Sequence, residues 1–229
     1  LARMREALED FESVAGETHP DHYRFIPFHT PFPGMVRKAA LLGYRHMIRD
    51  TEIEEALDAE IGMMPREADF DDFEHYEEAI RAYMDALQDT EAYAVWYDRI
   101  IDPTLGLARY VGNWYTGSVH IARVSALKHG VDNDLDLAGE RLLVGSYGSG
   151  AQAEIHAETI RDGWRAEIEN LEIFDQLDNR YSISFEEYEQ VHDTHNYEKE
   201  LQTEEFTAPE REFVFTGWGR MNERMYEFI

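Results

Sequence analysis

The stretch Arg141-Leu142-Leu143-Val144-Gly145-Ser146-Tyr147, interrupted by Gly148-Ser149-Gly150 and resumed over residues 151–160, decides the fold of this chain. An apolar run bounded by glycine reads as a buried strand, the alternation that follows reads as a second strand, and the glycine-rich bend between them pairs the two. Upstream, Val119, Ile121, Ala122, Val124 and Leu127 mark an apolar helix. The small residues Gly117, Ser118, Ala122 and Ser125 would let it pack closely against a sheet, and His129-Gly130 ends it, with Gly130 as a left-handed cap.

Further out, Tyr23-Arg24-Phe25-Ile26-Pro27-Phe28 reads as a short strand stopped by Pro31 and Pro33. Leu1, Met4, Ala7, Leu8 and Phe11 recur at helical spacing, as do Met35, Val36, Ala39, Leu42 and Met47. Helices are also expected over residues 73–87, 91–101 and 185–199, and strands over 213–215 and 224–228, joined through Gly217-Trp218-Gly219. With no repeat, low-complexity tract or linker, residues 1–229 read as one α/β domain, a mixed sheet flanked by helices, with residues 51–108 as an acidic helical region serving as scaffold or insertion.

The 229 residues carry 48 Asp and Glu against 21 Lys and Arg, a net charge of −27. Such a surface repels polyanions, which excludes nucleic acid and an anionic membrane face as partners. At this length a chain buries roughly 70–75% of its unfolded surface, enough for a sizeable core. Three of the basic residues, Lys38, Lys128 and Lys199, are lysines and the rest arginines. Carboxylates crowd the expected solvent faces, which fits a salt-rich cytoplasm where molar salt screens the self-repulsion. The chain has no cysteine, so it brings no disulfide, thiolate metal site or cysteine nucleophile of its own. Its start is amphipathic rather than signal-like and is not Met, the expectation being part of a longer or processed polypeptide.

Among candidate chemical groups, His29 follows a strand on a proline-fenced turn, where open α/β sheets place their reaction crevice. An imidazole there can protonate an oxygen that gains charge during reaction. A structural, hydrogen-bonded histidine fits the same position. Asn113, at the mouth of the apolar helix, reads either as a helix N-cap or as an amide aimed into that crevice. Gly148-Ser149-Gly150 either presents backbone N–H groups to an oxyanion or is a plain hairpin turn. Gly145, Gly148 and Gly150 do not have dinucleotide spacing, and neither Ser146 nor Ser149 sits on a nucleophile elbow. His192 with His195, and Glu154, His156 and Glu158, lack further ligands at metal spacing, so no metal site is expected.

Taken in order, Phe28-His29-Thr30-Pro31-Phe32 with Arg37-Lys38-Ala39, Gly112-Asn113-Trp114-Tyr115-Thr116-Gly117-Ser118, and Ser146-Tyr147-Gly148-Ser149-Gly150 resemble the second half of the hydroxymethylglutaryl-CoA synthase family, in a halophilic archaeal version. The resemblance implies a thiolase fold, two similar α/β halves stacked in five layers, of which this chain is the C-terminal one. It implies condensation of acetyl-CoA with acetoacetyl-CoA to HMG-CoA in mevalonate-based isoprenoid synthesis, in the cytoplasm and without a separate cofactor. A cysteine is acetylated, a glutamate deprotonates the acetyl methyl, and both belong to the other half. That N-terminal half is the first implied partner; a homodimer and an acetoacetyl-CoA thiolase joined by a small bridging protein are the others.

Motif by motif, His29 matches the catalytic histidine that holds acetoacetyl-CoA and protonates the oxygen that becomes the tertiary alcohol. Asn113 matches a substrate-binding asparagine, and Ser149 with Gly148 the glycine-rich bend facing a thioester oxygen. Lys38 matches a basic residue that meets the CoA-bearing substrate. Where the family usually has another lysine, five residues after the histidine, this chain has Gly34, and neighbouring Arg37 is the expected compensation. Two rivals remain in view: another thiolase-superfamily condensing enzyme of the ketoacyl synthase III kind, and a non-catalytic thiolase-like scaffold subunit.

Overall fold

A computed structural model describes residues 2–16, 18–111, 114–148, 152–193, 213–218 and 224–228. They form two compact units, Leu1–Leu177 and Asp178–Ile229. The first unit holds α1 (Ala2–Ala15), α2 (Pro33–Met47), α3 (Glu52–Ile61), α4 (Phe73–Gln88), α5 (Glu91–Ile100), α6 (Ser118–Asp132), β1 (Arg141–Gly148), β2 (Gln152–Thr159) and α7 (Trp164–Glu169). The short α8 (Ile173–Asp178) follows at the boundary.

The hairpin expected from the glycine bend is present. β1 and β2 pair antiparallel from Arg141↔Thr159 to Gly148↔Gln152. On its other edge β1 runs parallel to the segment containing Phe25 and Phe28, with bridges Phe25↔Leu142 and Phe28↔Gly145. Arg24 N–H donates to the Arg141 carbonyl, Leu143 N–H to Phe25, Gly145 N–H to Pro27 and His29 N–H to Gly145, at 2.7, 3.2, 3.0 and 2.8 Å. The segment is therefore extended but not a continuous strand, because Pro27 has no N–H to give the ladder. The sheet is mixed, as expected, and its middle strand is β1.

Alternation along β1 sorts the core into two layers. Leu143 faces Ile26, Phe28, Leu8 and the α2 residues Val36, Ala40 and Tyr44. Leu142 and Val144 face Phe25, Val119, Ala126 and Leu137 on the α6 side. The acidic region serves as scaffold: Leu57, Tyr83, Leu87, Tyr93, Trp96 and Ile100 are buried in the same cluster as Phe28 and Leu143. Most of its carboxylates lie on outer faces, Glu54 turning inward to Arg45 of α2 at 2.5 Å, and side-chain caps start its helices. Thr51 accepts from Glu54 N–H, Asp72 from His75 N–H and Thr90 from Tyr93 N–H at the starts of α3, α4 and α5, each cap contributing about 1 kcal/mol.

Two boundaries differ from the sequence expectation: Gly217 and Trp218, expected in the joint between the last two strands, lie within a strand that spans Phe213–Trp218, and the end of α6 lies beyond Gly130. Gly130 is not a cap; it lies inside α6, which runs on to Asp132. A Cβ at Gly130 would collide with the Leu137 side chain and stand 3.1 Å from the Trp164 ring, so glycine is there for close packing rather than for a left-handed turn. Of the small residues expected to face a sheet, Ser118, Ala122 and Ser125 are buried and Gly117 is half-buried, while Val119 and Ala126 are the α6 residues clustered with Leu142 and Val144 of β1. Part of the small side receives the turn after α5, where Leu107 N–H donates to Ser125 Oγ at 3.0 Å.

The second unit holds α9 (Phe185–Asp193), β3 (Phe213–Trp218) and β4 (Arg224–Phe228). Ser184 and Glu187 cap α9 reciprocally, Ser184 N–H donating to Glu187 Oε2 at 2.6 Å and Glu187 N–H to Ser184 Oγ at 3.2 Å. β3 and β4 pair antiparallel with a register shift between Phe215 and Gly217. The remainder of the helix expected to reach residue 199 lies outside the described residues.

Candidate active site around His29

His29 closes the parallel ladder. Its N–H makes the last bond to β1, at 2.8 Å to the Gly145 carbonyl, so the ring stands at the carboxyl end of both the 25–28 segment and β1. Phe28 and Thr30 on either side are buried, while the imidazole is half-buried. A cavity of about 180 Å³ opens beside it, walled by Met4, Phe28, Pro31, Met35, Ala39, Gly145 and Tyr147. The walls are apolar, and His29 is the one titratable imidazole among them.

The ring is held from α6. Ser118 Oγ, on the first residue of that helix, lies 2.6 Å from His29 Nδ1. The same oxygen accepts Thr30 N–H at 2.9 Å and donates to the Tyr115 carbonyl at 2.8 Å. Tyr115 adopts φ 51°, a left-handed backbone rarely tolerated by an aromatic residue, which costs of order 1–3 kcal/mol and brings its carbonyl to this cluster. Burial pushes the His29 pKa below its ordinary value, and the Tyr115 carbonyl pulls partly the other way by accepting from the ring.

The other candidate residues divide. Asn113 and Ser149 lie outside the described residues. Gly148 ends β1 at the same end of the sheet as His29 but lines a separate open groove with Arg3, Glu6 and Asp10. Lys38 is exposed on α2, and neither it nor Arg37 lines the His29 cavity, to which α2 contributes Met35 and Ala39. The Arg37 guanidinium instead sits 5.9 Å from the Tyr97 ring centroid on α5. At Gly34 a Cβ would come 3.1 Å from the Phe32 ring, so a longer side chain there must displace Phe32.

Sequence reasoning passed over Ser118 as a functional group, treating it only as a small packing residue. Its position five residues after Asn113 at a helix start held the available signal. Glu154, His156 and Glu158 share a strand face as expected. Together with Arg123 they make an ion-pair cluster, Glu158 meeting Arg123 at 2.5 Å and His156 at 3.0 Å. Among the described residues no His, Asp and Glu group is arranged to hold a metal ion.

A histidine at the carboxyl end of a mixed sheet, anchored from the buried helix and facing a small apolar cavity, defines a thiolase-like α/β half. Solved structures agree on that fold. PksG, an HMG-CoA synthase from Bacillus subtilis, superposes with a TM-score of 0.67 at 18% identity, over 100% of this chain and 50% of that one. MvaS in complex with 3-hydroxy-3-methylglutaryl coenzyme A superposes at 0.60 and 24% identity, over 98% and 47%.

The family model for the hydroxymethylglutaryl-coenzyme A synthase C terminal matches residues 3–217. The chain belongs to that family. Hydroxymethylglutaryl-CoA synthase of Haloferax volcanii is 66% identical over 229 residues, which is 100% of this chain and 52% of that protein. The chain thus spans about half the length of that relative.

Proposed function

We propose that this chain forms the acceptor-side half of a hydroxymethylglutaryl-CoA synthase, condensing acetyl-CoA with acetoacetyl-CoA to HMG-CoA for mevalonate-based isoprenoid synthesis in the cytoplasm. The observation that carries the reading is the His29 ring at the carboxyl end of the sheet, fixed by Ser118 and open to an apolar cavity of about 180 Å³. The family membership and the CoA-thioester product bound in the solved relative support the same substrate class.

In the proposed reaction, an acetyl group on a cysteine thiolate loses a methyl proton to a glutamate. The resulting carbanion attacks C3 of acetoacetyl-CoA. Negative charge collects on the C3 oxygen, and His29, neutral at rest because burial disfavours its charged form, takes up a proton at Nε2 from solvent and passes it to that oxygen to make the tertiary alcohol. Water then releases the product from the cysteine. Cysteine and glutamate come from the N-terminal half of the polypeptide, the first partner, and the chain by itself is inactive. Thiolate, carboxylate and imidazole suffice for these steps, so the reaction takes no separate cofactor. By the family resemblance Asn113 and Ser149 bring an amide and backbone N–H groups to the acceptor; Gly148 would join them from its neighbouring groove, and Lys38, exposed on α2, would meet the CoA phosphates, with Arg37 joining it only if it leaves the Tyr97 ring. A homodimer and an assembly with acetoacetyl-CoA thiolase through a small bridging protein extend this reading to partners.

Product analysis tests it. The full-length protein, given acetyl-CoA and acetoacetyl-CoA, is expected to release HMG-CoA and free CoA in equal amounts. A product formed only with an acyl-carrier acceptor would favour a ketoacyl synthase III-like enzyme, and no condensation with any acceptor would favour a scaffold subunit.

A further inference from the structure

The hydrogen bonds around Ser118 fix which nitrogen of His29 carries the proton. Ser118 Oγ has three polar neighbours, Thr30 N at 2.9 Å, the Tyr115 carbonyl oxygen at 2.8 Å and His29 Nδ1 at 2.6 Å. A hydroxyl supplies one hydrogen and two lone pairs. Thr30 N–H can only donate, so it takes one lone pair. The Tyr115 carbonyl can only accept: one lone pair takes the serine hydrogen and the other faces the ring N–H it also accepts, and without the serine hydrogen two oxygens would face each other at 2.8 Å with none between them. One lone pair is left for Nδ1, which must then carry a hydrogen. The opposite assignment, Ser118 donating to Nδ1, leaves that repulsive oxygen pair at a serine only 4% exposed.

We propose that Ser118 is a positioning residue that holds His29 as the Nδ1–H tautomer, so that Nε2 alone gains and loses the transferable proton. This rests on the reading of His29 as the acceptor-side acid. As imidazolium, His29 keeps Nδ1–H on Ser118 and gives the Nε2 proton to the oxygen formed at the acceptor carbon. The neutral ring left behind is already the tautomer that Ser118 accepts, so the transfer needs no ring flip and no rearrangement of the cluster. The strained Tyr115 backbone is what places its carbonyl to take the serine hydrogen.

The test is long-range ¹H–¹⁵N correlation on full-length protein labelled at histidine, at a pH of about 8, where an unperturbed imidazole is neutral, with the His29 signal identified by its loss in His29→Ala. The expected pattern is a protonated Nδ1 and a bare Nε2 in the unsubstituted protein. Ser118→Ala should move His29 to the Nε2–H tautomer or a mixture, and lower kcat for condensation by about 10–100-fold with KM for acetoacetyl-CoA little changed. Ser118→Thr, which keeps the hydroxyl, should restore the tautomer and most of kcat. A bare Nδ1 in the unsubstituted protein overturns the proposal, and that measurement needs no variant to fold. So does a Ser118→Ala protein whose tautomer and kcat are unchanged. Because the tautomer is read without substrate, failure here is separate from failure of the acceptor-side reading, which the loss or retention of condensation in His29→Ala decides.

Discussion

The backbone N–H of His29 donates to the Gly145 carbonyl at 2.8 Å, and the side chain that Gly145 lacks is what lets Phe28 lie beside that bond. A Cβ at Gly145 would stand 2.6 Å from Phe28 Cδ1 and 2.9 Å from Met4 Cε. The glycine therefore sets both the register of the ladder and the wall of the cavity.

Gly145→Ala should consequently destabilise the protein by about 1–3 kcal/mol, the cost of overpacking a filled core. It should also shift Phe28 and raise KM for the acceptor substrate. Denaturant unfolding and steady-state kinetics check the two effects, and a variant with unchanged midpoint and KM would show that the site yields easily.

Gly130→Ala separates two competing effects. In an ordinary helix interior the change gains about 1 kcal/mol from propensity. Here the new methyl meets Leu137 and Trp164, and overpacking of about 1–3 kcal/mol outweighs the gain. The expected outcome is a lowered melting temperature; a raised one would mean that α6 can shift away from Leu137.

Glu12 ties α1 to the end of α2. Its carboxylate meets His46 Nε2 at 2.7 Å and Arg49 at 3.0 Å, and Thr18 donates to it as well. Burial alone would raise its pKa, but the hydrogen bonds from Thr18 and His46 outweigh that and hold it below the usual carboxylate value. A depressed pKa gives stability that is present above the unfolded value of about 4.3 and is lost as pH falls through the lower folded value. Glu158 is held down in the same sense by His156 and Arg123. Glu12→Gln should therefore shrink, without abolishing, the drop in stability between about pH 5 and pH 2. Unfolding curves across that range check it.

Salt should stabilise this chain. With a net charge of −27, self-repulsion is strong in dilute buffer, and at about 1 M salt the screening length falls to roughly 3 Å. The melting temperature is expected to rise with KCl into the molar range. A flat or falling curve would contradict the halophilic reading.

Much of this fold is legible in the sequence because period and punctuation agree. The helical spacing of Met4, Leu8 and Phe11, and the glycine bend after Tyr147, give α1 and the β1–β2 hairpin directly. Gly130 misleads because a helix-ending cap and a close-packed helix interior use the same residue, and only the position of Leu137 decides between them. Arg37 is drawn to Tyr97 by an aromatic face that is distant in sequence and not visible in a local motif. His29 stands out as a candidate by its turn and its motif, whereas Ser118 does not. A small hydroxyl on an apolar helix has packing as its ordinary reading, and its three partners come from three separate parts of the chain.

The central claim is that His29 serves the acceptor carbon and leaves the nucleophile's chemistry untouched. It is tested most directly by His29→Ala in the full-length protein, following acetyl transfer from labelled acetyl-CoA separately from condensation. The account predicts that covalent acetylation persists while condensation with acetoacetyl-CoA falls by about 10²–10⁴-fold. Near-normal turnover, or loss of acetylation itself, would contradict it.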